Sequence, residues 1–191
     1  MIETLETDRL LMRPFERSDL PALTALHAEE SFWWFGLRRG MTPEETASFL
    51  ARVMTDYGGN DPAVHAVVER STGELAGWVG LAVPRLLPEV LPAIEVGWRL
   101  GSRYRGRGYA TEAAGAALRW GFEDLGLAEI LSIFERANVA SGKVMDHLGF
   151  DAGFETVDPH DGAPLVVRAL TAASWRRTRP GATGAGTADP G

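Results

Sequence analysis

The run Arg103-Tyr104-Arg105-Gly106-Arg107-Gly108-Tyr109-Ala110-Thr111-Glu112 has the residue types of an anion cradle. Without a Cβ, Gly106 and Gly108 let the backbone bend and come close to a ligand. A helix starting behind them offers unpaired N–H groups and the positive end of its dipole. Between Arg99 and Arg107 stand four arginines (Arg99, Arg103, Arg105, Arg107) and no acid. A glycine turn with solvated arginines is the plainer reading of the same residues. Two other glycine motifs fit less well. A dinucleotide fingerprint needs a third Gly or Ala where Thr111 stands, and a Walker A loop needs Gly-Lys-Ser or Gly-Lys-Thr, which is absent.

Glu95 is a second candidate. In an extended Ala93–Leu100, Ile94, Val96 and Trp98 share one face while Ala93, Glu95 and Gly97 share the other, so the carboxylate has small neighbours. Taken alone it is a solvent-facing acid, and Gly97 inside the strand marks a bulge or a close approach. Asn138 precedes a helical segment and suits an N-cap, with Ser141 one turn later an ordinary helix serine. Phe32, Trp33, Trp34 and Phe35 lie between two helices and suit either core or a pocket wall. His27, His65, His147 and His160 have no metal-ligand spacing, so no metal site is expected. With no cysteine, thiolate nucleophiles and disulfides are excluded.

The elements that must position these residues follow from periodicity. Leu5–Phe15 reads as an edge strand stopped by Pro14, and Ser18 as the cap of a short helix carrying Leu20, Leu23 and Leu26. Thr42-Pro43-Glu44-Glu45 is a capping box opening a helix to about Tyr57, with Phe49, Leu50 and Val53 inward. Strands are expected at Val64–Glu69, Leu75–Val83 and Ala93–Leu100, the first two joined by the turn Ser71–Glu74. A helix Gly108–Leu125 carries Leu118, Phe122 and Leu125 inward. The strand Glu129–Phe134 and the helix Val139–Leu148 follow, and strands Phe150–Val157 and Leu165–Leu170 flank the turn Asp158–Gly162. The order β-αα-βββ-α-β-α-ββ predicts an α+β fold, a mixed sheet of six to seven strands flanked by about four helices.

The chain has 191 residues, 45% hydrophobic and 24% charged, which suits one globular domain over residues 1–177. Residues 178–191, rich in Gly, Pro and Ala, are expected to form a disordered tail. A net charge of -7 disfavours a nucleic-acid partner. No run approaches the ~18 apolar residues of a membrane span, and the acidic start is unlike a secretory leader, so a cytoplasmic protein is the expectation.

Arg103-x-x-Gly106-x-Gly108 resembles the acyl-CoA motif Q/R-x-x-G-x-G/A of the GNAT superfamily of N-acetyltransferases. The wider strings resemble its RimJ/RimL branch: Thr7 to Pro14, Ile94 to Leu100, Gly106 to Glu112, Asn138-x-x-Ser141 and His147-Leu148-Gly149-Phe150. The resemblance spans about residues 5–172. It implies a GNAT fold, a mostly antiparallel sheet splayed at the acyl-CoA site, and transfer of an acetyl group from acetyl-CoA to a primary amine in a ternary complex. It implies that N–H groups from Arg105 to Ala110, through Gly106, Gly108 and Tyr109, cradle the pyrophosphate, with Arg103 and Arg105 or Arg107 near the phosphates. A bulge at Val96, Gly97 and Trp98 would hold the thioester, Glu95 would act as base, and Asn138 would touch the pantetheine arm. Many relatives carry a Tyr acid where this chain has Met145, so Ser141 takes that role. Trp33, Trp34 and Phe35 would wall the acceptor, which is a protein N-terminus, a polyamine or an aminated small molecule. The missing Tyr keeps a non-catalytic acyl-CoA sensor as the second reading, and a homodimer is compatible with either.

Overall fold

In the computed structural model of the chain, the structure describes residues 3–33, 37–57 and 63–178. Trp34 and Phe35 lie outside these residues, as does the expected tail beyond residue 178.

Local capping chemistry sets the first helices. A 3-10 turn Arg17–Asp19 leads into α1 (Leu20–His27), and α2 spans Pro43–Asp56. The capping box forms as expected: the Glu45 N–H donates to Thr42 Oγ1 at 3.2 Å, and the Thr42 N–H donates to Glu45 Oε2 at 2.8 Å. Ser18 is not the cap. Asp19, fixed by Arg13 at 2.7 Å, accepts the Glu16 N–H instead, because a charged carboxylate outcompetes a hydroxyl for that donor.

The sheet has eight strands in the order β1-β2-β3-β4-β5-β6-β8-β7, more than the six to seven expected. They are β1 (Leu5–Glu6), β2 (Leu10–Arg13), β3 (Val64–Glu69), β4 (Leu75–Ala82), β5 (Glu95–Leu100), β6 (Glu129–Glu135), β7 (Phe154–Val157) and β8 (Pro164–Thr171). The extra strand arises because Leu5–Phe15 folds into two. Thr7 closes a tight turn, its N–H donating to Leu10 O at 3.0 Å and its hydroxyl oxygen accepting the Leu10 N–H at 3.0 Å. β1 is therefore the edge. Phe150–Val157 narrows to β7 because Gly153 turns the chain at φ +70°, where a Cβ would sit 2.1 Å from Val167 O.

All pairings are antiparallel except β5 with β6. A parallel pair needs a crossover, and α3 (Tyr109–Arg119) supplies it. Ala113, Ala114 and Ala117 are fully buried and let α3 lie close to β4 and β5. The helix ends in a π-helical turn, Trp120–Asp124, whose wider winding leaves Leu118 and Phe122 inside and Leu125 exposed, contrary to expectation. The helix α4 spans Val139–Leu148, and an unforeseen α5 (Ala172–Thr178) tucks Trp175 against Phe122. Among the described residues no helix is long and apolar enough to cross a membrane, and no His, Cys, Asp and Glu group is arranged to hold a metal.

Removing the α2 cap tests this frame. Thr42→Ala is expected to lower stability by about 1 kcal/mol, read as a reduced urea midpoint with unchanged slope.

Candidate active site

The parallel pair builds a crevice. β5 and β6 share one registered pair, Glu95↔Leu131, and then part. α3 and α4 start beyond their C-terminal ends, so two helix N-termini flank the opening, the usual ligand position in a sheet with parallel strands. The sheet is splayed, as the resemblance implied.

The gap edge of β5 can be read from its hydrogen bonds. Ile94 O accepts the Leu131 N–H at 2.8 Å, and Val96 O accepts from Ser132 Oγ at 2.9 Å. Further on, Leu100 O accepts from Arg105 Nε at 3.1 Å. Alternation then turns the Trp98 N–H into the gap, whereas Gly97 faces β4, paired with Gly80. The expected bulge at Val96, Gly97 and Trp98 is not formed against β4: that ladder runs in unbroken register from Gly77↔Leu100 to Ala82↔Glu95. Divergence from β6, rather than an inserted residue, opens the strand. Ser132, buried and holding Val96, was not singled out from sequence, where a strand serine carries no signal.

Glu95 sits at the point of parting, half-buried beside Ala82 and Leu131, on the same strand face as Gly97 and Arg99. A side chain at Gly97 would meet only Trp78, at 3.9 Å, so the face is open there. Among the described residues no cation pairs with Glu95, and desolvation pushes its carboxyl up to about 7. At the other end of that face Arg99 donates to Phe32 O at 2.8 Å and lies 4.5 Å from the Trp33 ring centre; burial lowers it to about 10. Trp33 is 7% exposed and packs against His27 and Phe49, so it is core that backs Arg99 rather than an open pocket wall.

Gly106 and Gly108 adopt φ +70° and +79°, which other residues rarely do, and a Cβ on Gly106 would meet nothing within 4 Å. The α3 ladder begins with the Glu112 N–H donating to Gly108 O at 3.0 Å. The N–H groups of Tyr109, Ala110 and Thr111 precede it and face outward as orphan donors. Phosphate oxygens fit such a cradle.

The arginines do not stand free as the sequence implied. Arg103 pairs with Glu74 at 2.7 Å, and Arg107 with the buried Glu69 at 2.6 Å. Arg105 spans Leu100 O and Ser31 O, the latter at 2.6 Å. The local run of positive charge is thus met in space by acids from β3 and the β3–β4 turn. Asn138 is the N-cap of α4, its Oδ1 accepting the Ser141 N–H at 3.1 Å. Ser141 is half-buried beside it, while Met145 is fully buried in the core.

Residues 9–151 match the family described as Acetyltransferase (GNAT) domain, and the chain belongs to that family. It is 26% identical over 151 residues to the uncharacterized N-acetyltransferase YoaA of Bacillus subtilis, across 78% of this chain and 84% of that protein. It is 34% identical over 115 residues to an FsC-acetyl coenzyme A-N(2)-transacetylase of Aspergillus fumigatus, across 55% of this chain and 49% of that protein. Among solved structures it resembles a GNAT-family acetyltransferase from Bacillus anthracis, with TM-score 0.76 at 23% identity over 90% of this chain and 99% of the other. It also resembles RimL, a ribosomal L7/L12 α-N-protein acetyltransferase solved with coenzyme A, with TM-score 0.75 at 16% identity over 88% and 98%. The fold is the GNAT fold.

Glu95 also carries a stability signature. Its folded pKa of about 7 lies above its ordinary 4.5, so the folded state binds the proton more tightly. The stability this brings is full below about pH 4.5 and is lost as pH rises through about 7. Glu95→Gln is expected to flatten that decline and leave the protein more stable than wild type at about pH 8, measured by denaturant midpoints across pH.

Proposed function

We propose that this GNAT-family protein transfers an acetyl group from acetyl-CoA to a primary amine by direct attack in a ternary complex. The observation that carries this is Glu95, a carboxyl near neutrality at the mouth of the splayed strands, on a face that Gly97 leaves open. Gly106, Gly108 and the N–H groups from Gly106 to Ala110 would hold the pyrophosphate, the Arg105 N–H being already donated to Ser102 O, and Val96, Gly97 and Trp98 would run beside the pantetheine arm. Acetyl-CoA supplies the activated thioester.

Amine acceptors are largely protonated at neutral pH and attack only when neutral. Glu95, directly or through water, takes the ammonium proton. The amine nitrogen then bonds to the acetyl carbon, and the Trp98 N–H donates to the oxygen that gains charge. The nitrogen, cationic after attack, gives up its second proton as the C–S bond breaks with its electron pair on sulfur, and that proton reaches the leaving thiolate through the Ser141 hydroxyl, which passes one proton on and regains another. Asn138 contributes through the α4 cap that orients Ser141. Arg103, Arg105 and Arg107 act chiefly by shaping the loop, since each has protein partners. Acceptors approach over the Gly97 face, with Trp33 supporting Arg99 at its far end.

Met145 in the core supports a second reading, a non-catalytic acyl-CoA sensor, because no phenol occupies the usual acid position. An amine panel with acetyl-CoA and a thiol reagent separates the two, the protein itself contributing no thiol. Turnover is expected, with kcat/KM rising through about pH 7, and Glu95→Gln is expected to lower kcat by about 100-fold or more. Tight acetyl-CoA binding with no turnover on any amine would identify the sensor.

A further inference from the structure

Glu69 at the end of β3 presents a puzzle of charge. Its side chain is 5% exposed and lies behind a loop suited to anions, where a carboxylate opposes phosphate binding. It accepts from three donors: the Tyr109 hydroxyl, Arg107 at 2.6 Å and Thr72 Oγ1 at 3.0 Å. Tyr109, the first residue of α3, is 3% exposed. The guanidinium of Arg107 lies 4.5 Å from its ring centre, and that of Arg9 lies 4.8 Å away. Arg9 also donates to Arg107 O at 2.8 Å and to Glu112 at 2.6 Å. Both sides of Gly108 are therefore fastened to β3 and to the turn before β2.

Glycines give the loop its left-handed bends but also the freedom to leave them. An unfastened Gly106-Arg107-Gly108 would lose orientation entropy whenever its N–H groups closed on a phosphate. We propose that Glu69 is a positioning residue for the acetyl-CoA loop: by tying the Tyr109 hydroxyl and the Arg107 guanidinium together behind it, Glu69 holds the N–H groups of residues 106–110 in their binding orientation. The proposal rests on the acetyl-CoA reading above. It assigns Arg107 a task behind the loop, facing a carboxylate, rather than one on a phosphate.

Charge and positioning predict opposite signs. Removing a negative charge beneath an anion site should tighten binding, whereas loosening the loop should weaken it. Calorimetric titration with coenzyme A is the direct assay and needs no acceptor. Glu69→Gln and Tyr109→Phe are each expected to weaken binding about tenfold, although only the first changes charge. Where turnover is measured, KM for acetyl-CoA rises in parallel and kcat at saturation stays within about twofold. Tighter binding by Glu69→Gln, or unchanged binding by Tyr109→Phe, overturns the proposal. Thermal melts check that the variants fold, and if Glu69→Gln does not, Tyr109→Phe decides alone. A wild-type protein that fails to bind coenzyme A overturns the acetyl-CoA reading instead.

Discussion

The parting of β5 from β6 after one registered pair is the constraint on which the site depends. Strands that separate inside a sheet leave backbone donors and acceptors that must find partners or water. Here the shortfall is met locally, by Ser132 at Val96 O and by Arg105 at Leu100 O. Between them Trp98 keeps its N–H on the gap. The same separation fans the C-terminal ends of the two strands, so α3 and α4 begin apart and present their N-termini to one space. The Trp98 N–H, the glycine loop before α3 and the Glu95 carboxyl, the three groups on which the proposed reaction rests, all border that one opening in the ladder.

A second constraint is electrostatic. Four arginines without an acid between residues 99 and 107 look like a positive patch in a chain of net charge -7. In three dimensions Arg103 and Arg107 meet Glu74 and Glu69, and Arg105 is spent on two carbonyls. What the start of α3 leaves without an intrahelical partner is peptide N–H. Peptide dipoles are fixed by backbone geometry and need little reorganisation when an anion arrives, whereas long arginine chains would have to be ordered. A loop whose cations are tied back and whose amides face forward trades attraction at a distance for orientation in contact.

Features encoded within a few residues were legible in the sequence. Thr42 and Glu45 cap α2, Asn138 caps α4 over Val139–Leu148, and Gly106 and Gly108 take positive φ, each because a local rule has no competitor. Failures came where a distant group intervened. Asp19 displaced Ser18 because Arg13 held it in place, and Leu5–Phe15 divided at Thr7, whose hydroxyl donates to Glu112 at 2.6 Å. The acids opposite the arginines lie 29 and 38 positions away, beyond any periodicity. The expected bulge failed for a related reason: whether a strand opens toward one neighbour or the other is decided by pairing, and alternation along β5 is the same in both cases.

In the proposed reaction, the placement of Glu95 sets how much proton transfer costs. A carboxyl at its ordinary 4.5 is a poor acceptor for an ammonium proton, whether from a side-chain amine near about 10.4 or an α-amine near about 7.8. Raising it to about 7 moves the equilibrium by more than two powers of ten toward transfer. The step then remains uphill by about three powers of ten for a lysine-like amine and by about one for an α-amine. Burial is what raises it, at the residue of β5 that is paired on both sides, with Ala82 of β4 and Leu131 of β6. At the last paired residue of the splay, then, a carboxyl is buried enough to gain basicity while its strand face stays open at Gly97, the combination the proposed reaction needs.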